Sequence, residues 1–321
     1  MTSTLQAQTG VTQTGPDEFV SLSPPARMGN LLPIAYGGCS IAVAVSAALA
    51  TVPKSFALYS VLGHFLGPAS TTLDLRCRVS RLRDTKSFVT RKVEVVQIHP
   101  DGVERKCLEL VTDSHIREKS LLTYSIAPTD SHGRPETCLP LAVLRELHVQ
   151  DASEASKIEG FAAQFSLMDR FFETRLDPSS VSAQNIWGAA KDTITTQDQR
   201  HITAKTSAEW SRTIQPMESA QENLAALAFL MDSGLSFLPL AHDHLWLDDV
   251  AACSSLDFAM RVFVSHLDLG QWHLKERTTA RAGEGRSYSE GKLWDDKGDL
   301  VAIMSQQCIL RPKKGQTRSS L

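Results

Sequence analysis

Three polar residues in the second half of the chain, Asp232, Ser255 and Gln306, are of types that together can activate water. A carboxylate can take a proton while a hydroxyl and an amide hold the water and aim it at a carbonyl; general-base help of this kind contributes roughly 10²–10⁴-fold. Asp232 stands out by its surroundings. The residues three and four positions away are Ala228, Phe229, Leu235 and Ser236, so no cation is placed to pair with it. Such a carboxylate either meets water at a helix end or is held in a cleft where lost hydration tunes its pKa. Gln306 lies in LVAIMSQQCIL, a strand otherwise built of Val, Ile, Met and Leu, and a buried Gln there needs hydrogen-bond partners. Strand alternation puts Gln306 and Gln307 on opposite faces. Ser255 opens the strand SLDFAMRVF.

The element that must position Asp232 is SAQENLAALAFLMDSGLSFLP, Ser219 to Pro239. Ser219 with Glu222 three residues on is a capping box, which starts a helix. Leu224, Leu227, Ala228, Met231 and Leu235 recur at helical spacing, and Ala225, Phe229 and Gly234 make most of the other surface small or apolar. Such a helix is wrapped on all sides. A second uncharged run, Leu31 to Val52, has the length of a membrane span, but Pro33 and Gly37-Gly38 break it and no aromatic belt flanks it. It reads as a second buried central helix.

Around these helices the order of elements repeats. After a possible short strand at Phe19–Leu22, the first helix is followed by strands at 57–66, 73–82, 87–98 and 104–112, with a hairpin at 99–102. Residues 126–157 are rich in proline and turn formers, with a short helix possible at 141–147. Beyond them 161–176 reads as strand material, 188–205 as a polar loop and 208–214 as a strand. The Ser219 helix and strands at 255–265, 272–280, 287–295 and 300–310 then follow. Phe65 to Phe88 and Phe263 to Tyr288 enclose matching sets at nearly the same length. A central helix followed by an antiparallel sheet, twice, is a duplicated α+β fold whose halves should pair into one sheet. The expected organisation is a disordered arm at 1–18, a first repeat at 19–127, a linker at 128–157, a second repeat at 158–312 and a basic tail at 313–321. Only the second helix carries an acid, so one active site per chain is expected.

The net charge of −3 over 321 residues offers no basic excess for nucleic acid. Six cysteines without a CxxC pair read as reduced and structural, which points to an intracellular, cytoplasmic protein. The terminal Ser-Ser-Leu resembles a peroxisomal address with Ser where a basic residue is normal. His242 and His244 have no third ligand at a useful spacing, so neither a metal nor another cofactor is expected. No GxSxG elbow is present. Arg83, Arg91 and Lys92 could meet an anionic group, though strand charges are usually solvated.

The chain resembles the acyl-CoA thioesterase II family, the double-hotdog thioesterases, through six stretches in order. These are AYGGCSIAVAVSAALATVP (35–53), RDTKSFVTRKVEVVQ (83–97), AEWSR (208–212), LMDSGLSFLPLA (230–241), SSLDFAM (254–260) and GDLVAIMSQQCILRP (298–312). The resemblance implies a thioester hydrolase acting on acyl-CoA or an acyl-carrier thioester. It assigns the water-binding roles to Asp232, Ser255 and Gln306. Substrate contacts are expected at Gly37, Gly38, His64, Phe65 and Phe88, with backbone N–H groups near Gly37-Gly38 meeting the oxyanion. The sequence departs from the family at Cys39, where Gln is usual, at Gly67, where Arg is usual, and in the strand DFAMRVFVS, which lacks the His-Arg pair. A non-catalytic acyl-binding protein and an enoyl-thioester hydratase or dehydratase are the competing readings; the Asp-x-Asn-Pro-x-His pattern of the hydratases is absent. Such a duplicated chain can work as a monomer or a homo-oligomer.

Overall fold

A computed structural model describes residues 4–29, 32–149 and 155–314. In chain order the elements begin with α1 (Leu5–Thr9), β1 (Val11–Gly15), β2 (Glu18–Ser21), α2 (Gly37–Ala50), β3 (Phe56–Phe65), β4 (Arg76–Asp84), β5 (Phe88–Ile98) and β6 (Glu104–Ile116). Next come β7 (Leu139–Pro140), α3 (Leu141–Val149), α4 (Ala155–Phe171), β8 (Phe172–Leu176), α5 (Val181–Gln184) and β9 (Ser207–Thr213). They are followed by α6 (Ala220–Met231), α7 (Leu238–His242), β10 (Val250–Val262), β11 (His273–Gly283), β12 (Arg286–Asp295) and β13 (Leu300–Pro312).

The strands form one antiparallel sheet of 13 in the order β1-β2-β4-β5-β6-β3-β10-β13-β12-β11-β9-β8-β7. The two repeats join at β3 and β10, the pairing that covers what would otherwise be two exposed edges. This sheet wraps α2 and α6, which pack on each other; Tyr36 stacks edge-on to Phe229 and donates its hydroxyl to the Phe229 carbonyl at 2.7 Å. Small residues along α2, from Ser40 to Ala48, allow that close approach, and nearly all of them are buried. α6 starts where the Ser219 hydroxyl accepts from the Glu222 N–H; the Glu222 carboxylate accepts from the Glu218 N–H rather than from Ser219.

Two expectations are corrected. Residues 4–18 of the expected disordered arm are ordered. From Thr4 onward they form α1 and the β1–β2 hairpin, with Leu5 in the core and Gln6 donating to Glu222 at the start of α6. The segment looks polar, but its buried Gln8 accepts from the Ala26 N–H and donates to Ser23, and Ser46 of α2 donates to the Thr9 carbonyl. Satisfied polar groups can be buried cheaply. Secondly, residues 161–171 are helix rather than strand. Ile158, Phe161 and Phe165 fall three and four apart on the buried face of α4, and the aromatic content that suggests a strand serves instead to pack against Phe237 and Trp246.

The linker is docked rather than loose. Trp294 and Trp210 donate their indole N–H groups to the Ile126 and Gly133 carbonyls, and the Glu276 carboxylate accepts from the Thr129 and Asp130 N–H groups and from His132. Among the described residues no helix is long and apolar enough to cross a membrane. The Ser-Ser-Leu end lies outside the described residues.

Candidate active site

Asp232 caps the C-terminus of α6, yet it is held away from bulk solvent: it is 7% exposed. The chain turns away immediately after it through Gly234, whose φ of +83° is a left-handed conformation suited to glycine. Two buried cations hold this end of the helix. Lys275 Nζ donates to the Leu230 carbonyl at 2.7 Å and to Ser233 Oγ at 2.5 Å, and Arg277 Nε donates to the Ser233 carbonyl at 2.9 Å. Both face Glu209 of β9, with Arg277 Nη2 at 2.5 Å and Lys275 Nζ at 3.5 Å. Positive groups there satisfy the helix's last carbonyls and oppose the negative end of its dipole.

Gln306 is fully buried beneath Asp232, and Gln307 faces out. Gln306 Nε2 donates to Asp232 Oδ1 at 2.5 Å, and Ser255 Oγ donates to Gln306 Oε1 at 3.2 Å. A carboxylate only accepts, so this chain fixes which way the amide points. The three groups predicted to converge therefore form one hydrogen-bonded row from α6 across β13 to β10. Burial raises the Asp232 carboxyl to about 6, against the lowering influence of Gln306, of the Gly38 N–H that donates to it, and of Lys275.

Gly37 and Gly38 are brought to the same place from α2. A Cβ on Gly37 would stand 2.9 Å from both Asp232 Oδ2 and Phe65 Cζ, so only glycine lets helix, carboxylate and ring meet. The Gly38 N–H is engaged by Asp232 and so is not free for the oxyanion role expected of the pair. Phe65, Gly37, Ser40 and Ser255 line a cavity of about 800 Å³. It opens where the repeats part: β10 pairs with β3 only from Asp257 to Arg261, so Val250–Ser255 on one side and Phe65–Ala69 on the other become its walls.

Two expected substrate contacts are not at this site. His64 alternates with Phe65 along β3 and so turns outward, exposed to solvent. Phe88 stacks on His115 at 4.4 Å beneath Arg83, on β5 and away from the cavity. Arg91 is not a solvated charge: it is buried and donates to Thr51 Oγ1 and the Thr51 carbonyl at the C-terminus of α2. His242 meets Ser207 Oγ at 3.0 Å and His244 meets Asp198 at 2.8 Å, in different directions. At Cys39 the thiol donates to Gln8 Oε1 at 3.4 Å, so an amide does stand there, supplied by α1. Sequence reasoning missed Glu209, Lys275 and Arg277. Their signal was two cations at i and i+2 in the strand HLKERTT opposite the acid of AEWSR, which a register would have paired: Lys275 lies opposite Glu209.

The two halves match two known domains. Residues 24–112 match the acyl-CoA thioesterase N-terminal domain and residues 148–310, half of the chain, match the acyl-CoA thioesterase C-terminal domain. The acyl-CoA thioesterase 2 of Haemophilus influenzae is 22% identical over 279 residues, which cover 86% of this chain and 87% of that one. The crystal structure of the acyl-CoA thioesterase II TesB2 from Mycobacterium marinum is similar with a TM-score of 0.69 at 19% identity, over 97% of this chain and 100% of that one. A hot dog fold protein from Alicyclobacillus acidocaldarius is similar with a TM-score of 0.70 at 16% identity, over 96% and 98% of the two chains. With a helix wrapped by antiparallel sheet in each half, the fold is a double hotdog, and the chain belongs to the acyl-CoA thioesterase family of thioester hydrolases.

Proposed function

We propose that this chain hydrolyses acyl-CoA, or an acyl-carrier thioester, by a single displacement in which Asp232 is the general base and Ser255 and Gln306 position the attacking water. One observation carries the assignment: a buried carboxylate with its pKa raised to about 6 is bonded to Gln306 beside a cavity that Ser255 lines. Such a group is ionised at neutral pH and still basic enough to take a proton. Asp232 accepts one proton of the water as its oxygen bonds to the thioester carbon. The Gly37 N–H, at the positive end of α2, meets the oxyanion. Collapse breaks the C–S bond and releases the thiolate, a good leaving group because a thiol's pKa is about 8.5. The proton on Asp232 returns to solvent or to the departing sulfur.

Thiol release from short, medium, long and branched acyl-CoAs tests this, with Asp232→Asn run beside the wild type. The expected result is turnover of part of the panel and a loss of at least about 10²-fold in the variant. Equal activity in both proteins would remove Asp232 from the mechanism. A protein that only binds acyl groups would retain its affinity for them in the variant and release no thiol in either form.

A further inference from the structure

Behind the active-site cavity lies a second, smaller chamber of about 50 Å³ whose floor holds a buried donor without a partner. Its walls are apolar, from Phe161, Phe165 and Met168 of α4, Trp187, and Phe237 just before α7. Its floor is the cluster that holds the end of α6, with Glu209, Ser233 and Arg277. Arg277 is 1% exposed, and its guanidinium carbon stands 4.7 Å from the centre of the Trp187 ring. Nε donates to the Ser233 carbonyl and Nη2 to Glu209, but Nη1 has no hydrogen-bond partner among the described residues. A guanidinium keeps all its N–H groups at any working pH, and a buried donor left unpaired is costly. With its other two nitrogens turned to protein, Arg277 offers Nη1 to the chamber. This chamber and the active-site cavity are one residue layer apart. Gly29 and Gln164 line the cavity, while their chain neighbours Met28 and Phe165 line the chamber. A Cβ on Gly29 would stand 3.2 Å from the Phe165 ring, so that ring is the partition, and Trp246 on the cavity side packs against it.

We propose that the chamber takes the far end of the substrate's acyl chain and that Arg277 Nη1 donates there to a hydroxyl, which makes hydroxyacyl thioesters the preferred substrates. This rests on the hydrolase reading above. The apolar walls suit methylenes that reach the chamber past Phe165, and the volume admits about three to five water-sized groups, enough for a short chain end. Charge decides which oxygen fits. Glu209 and Asp169 line the chamber against a single lining cation, Arg277, so a carboxylate would enter as a third anion. A hydroxyl is neutral, accepts from Nη1 and can give its own proton to a neighbouring carboxylate. Asp169, bonded to Arg145 at 3.0 Å, stands on the solvent side.

The experiment uses matched acyl-CoA pairs of medium and long chain, with and without a hydroxyl near the chain end, and reads the ratio of kcat/KM within each pair. Wild type is expected to favour the hydroxylated member of at least one pair by roughly 10–10²-fold. Arg277→Lys keeps a cation facing Glu209 and withdraws Nη1, whereas Met168→Trp fills the chamber from α4 and leaves the Arg277 bonds in place. Both variants should bring the ratio to unity, and a general loss of activity would not move it. If the Arg277 variant fails to fold, Met168→Trp decides. A ratio of unity in wild type at every length, with Asp232→Asn inactive throughout, would overturn the chamber's role and leave the hydrolase standing. A preference that survives in both variants would overturn it too. Calorimetry with the free acids reads the chamber apart from turnover: the hydroxylated acid should bind wild type more tightly than the plain one and compete with the thioester. If no thioester is cleaved, the hydrolase reading falls and this binding difference still decides. A hydroxylated acid that binds without competing would be entering from the Asp169 side, and that would overturn the acyl-end assignment.

Discussion

At Asp232 the proposed role as a base and the stability of the fold pull in opposite directions. In the unfolded chain the carboxyl ionises near 3.8; in the folded protein burial delays this to about 6. Between those values the native state holds the proton more tightly, so stability is highest below about pH 4 with respect to this group and is lost as pH rises toward 6. The proposed mechanism needs the opposite form. The rate should follow the ionised carboxylate, so kcat/KM is expected to climb through a midpoint near pH 6 and level off above pH 7, which a pH–rate profile reads directly. Asp232→Asn, inactive, should melt higher than wild type at pH 8, where the native charge is buried. The gain is at most about 3 kcal/mol, from the size of the shift, less what Asn loses in accepting from Gln306 and Gly38. At pH 4 the difference should vanish. A rate flat from pH 5 to 8 would remove Asp232 as the base.

The elements that hold Asp232 show where the sequence was legible. The N-cap at Ser219, the apolar spacing that follows it and the alternation of Gln306 with Gln307 are local signals that predict what is found, although Glu222 closes on Glu218 rather than completing the capping box. The site's support is not local. Glu209, Lys275 and Arg277 meet across β9 and β11 beneath the end of α6, and only the register brings them together. α1 and α4 escaped for a related reason: a five-residue helix of Leu, Gln, Ala and Thr is stabilised by what it docks on, and phenylalanines four apart suit a helix whenever another layer covers them. The buried cluster makes a prediction with two readouts. Glu209→Gln leaves an arginine that cannot shed its charge, and the loss should be of the order of 3–5 kcal/mol in chemical denaturation. Burial and the neighbouring Arg277 push the Lys275 ammonium well below the usual lysine value, but where it is charged its field lowers the Asp232 pKa, so Lys275→Met should move the midpoint of the pH–rate profile above 6. A midpoint that stays put or falls would show that Lys275 supports the helix without tuning the base.

Across the whole molecule, duplication supplies in one chain the sheet pairing at β3 and β10, and the connection between the repeats must then cross the outer surface without straining that junction. It is fastened by charge. His132 sits between Glu276 of β11, at 2.7 Å, and Asp177, just past β8, at 3.3 Å, with the Gly133 N–H also donating to Asp177. Burial by itself would lower the imidazole's pKa, but the bonds to Asp177 and Glu276 outweigh it and raise the ring to about 9. The same contacts hold both carboxyls below their usual range. A raised histidine stabilises fully below its unfolded pKa near 6.5, and that contribution disappears as pH rises through 9. The melting temperature of the wild type should therefore decline between pH 6.5 and 9 by more than that of His132→Asn, which keeps a hydrogen-bonding side chain but cannot carry the charge. At pH 6 the variant should melt lower than wild type, and by pH 9.5 the two should converge. Parallel curves across that range would mean that the ring is held neutral and the linker is fastened by its backbone and tryptophan bonds alone. Asp232, with its midpoint near 6, titrates mainly below pH 7 while His132 responds up to 9, so a pH series that includes the two variants reads the buried carboxylate and the linker clip separately.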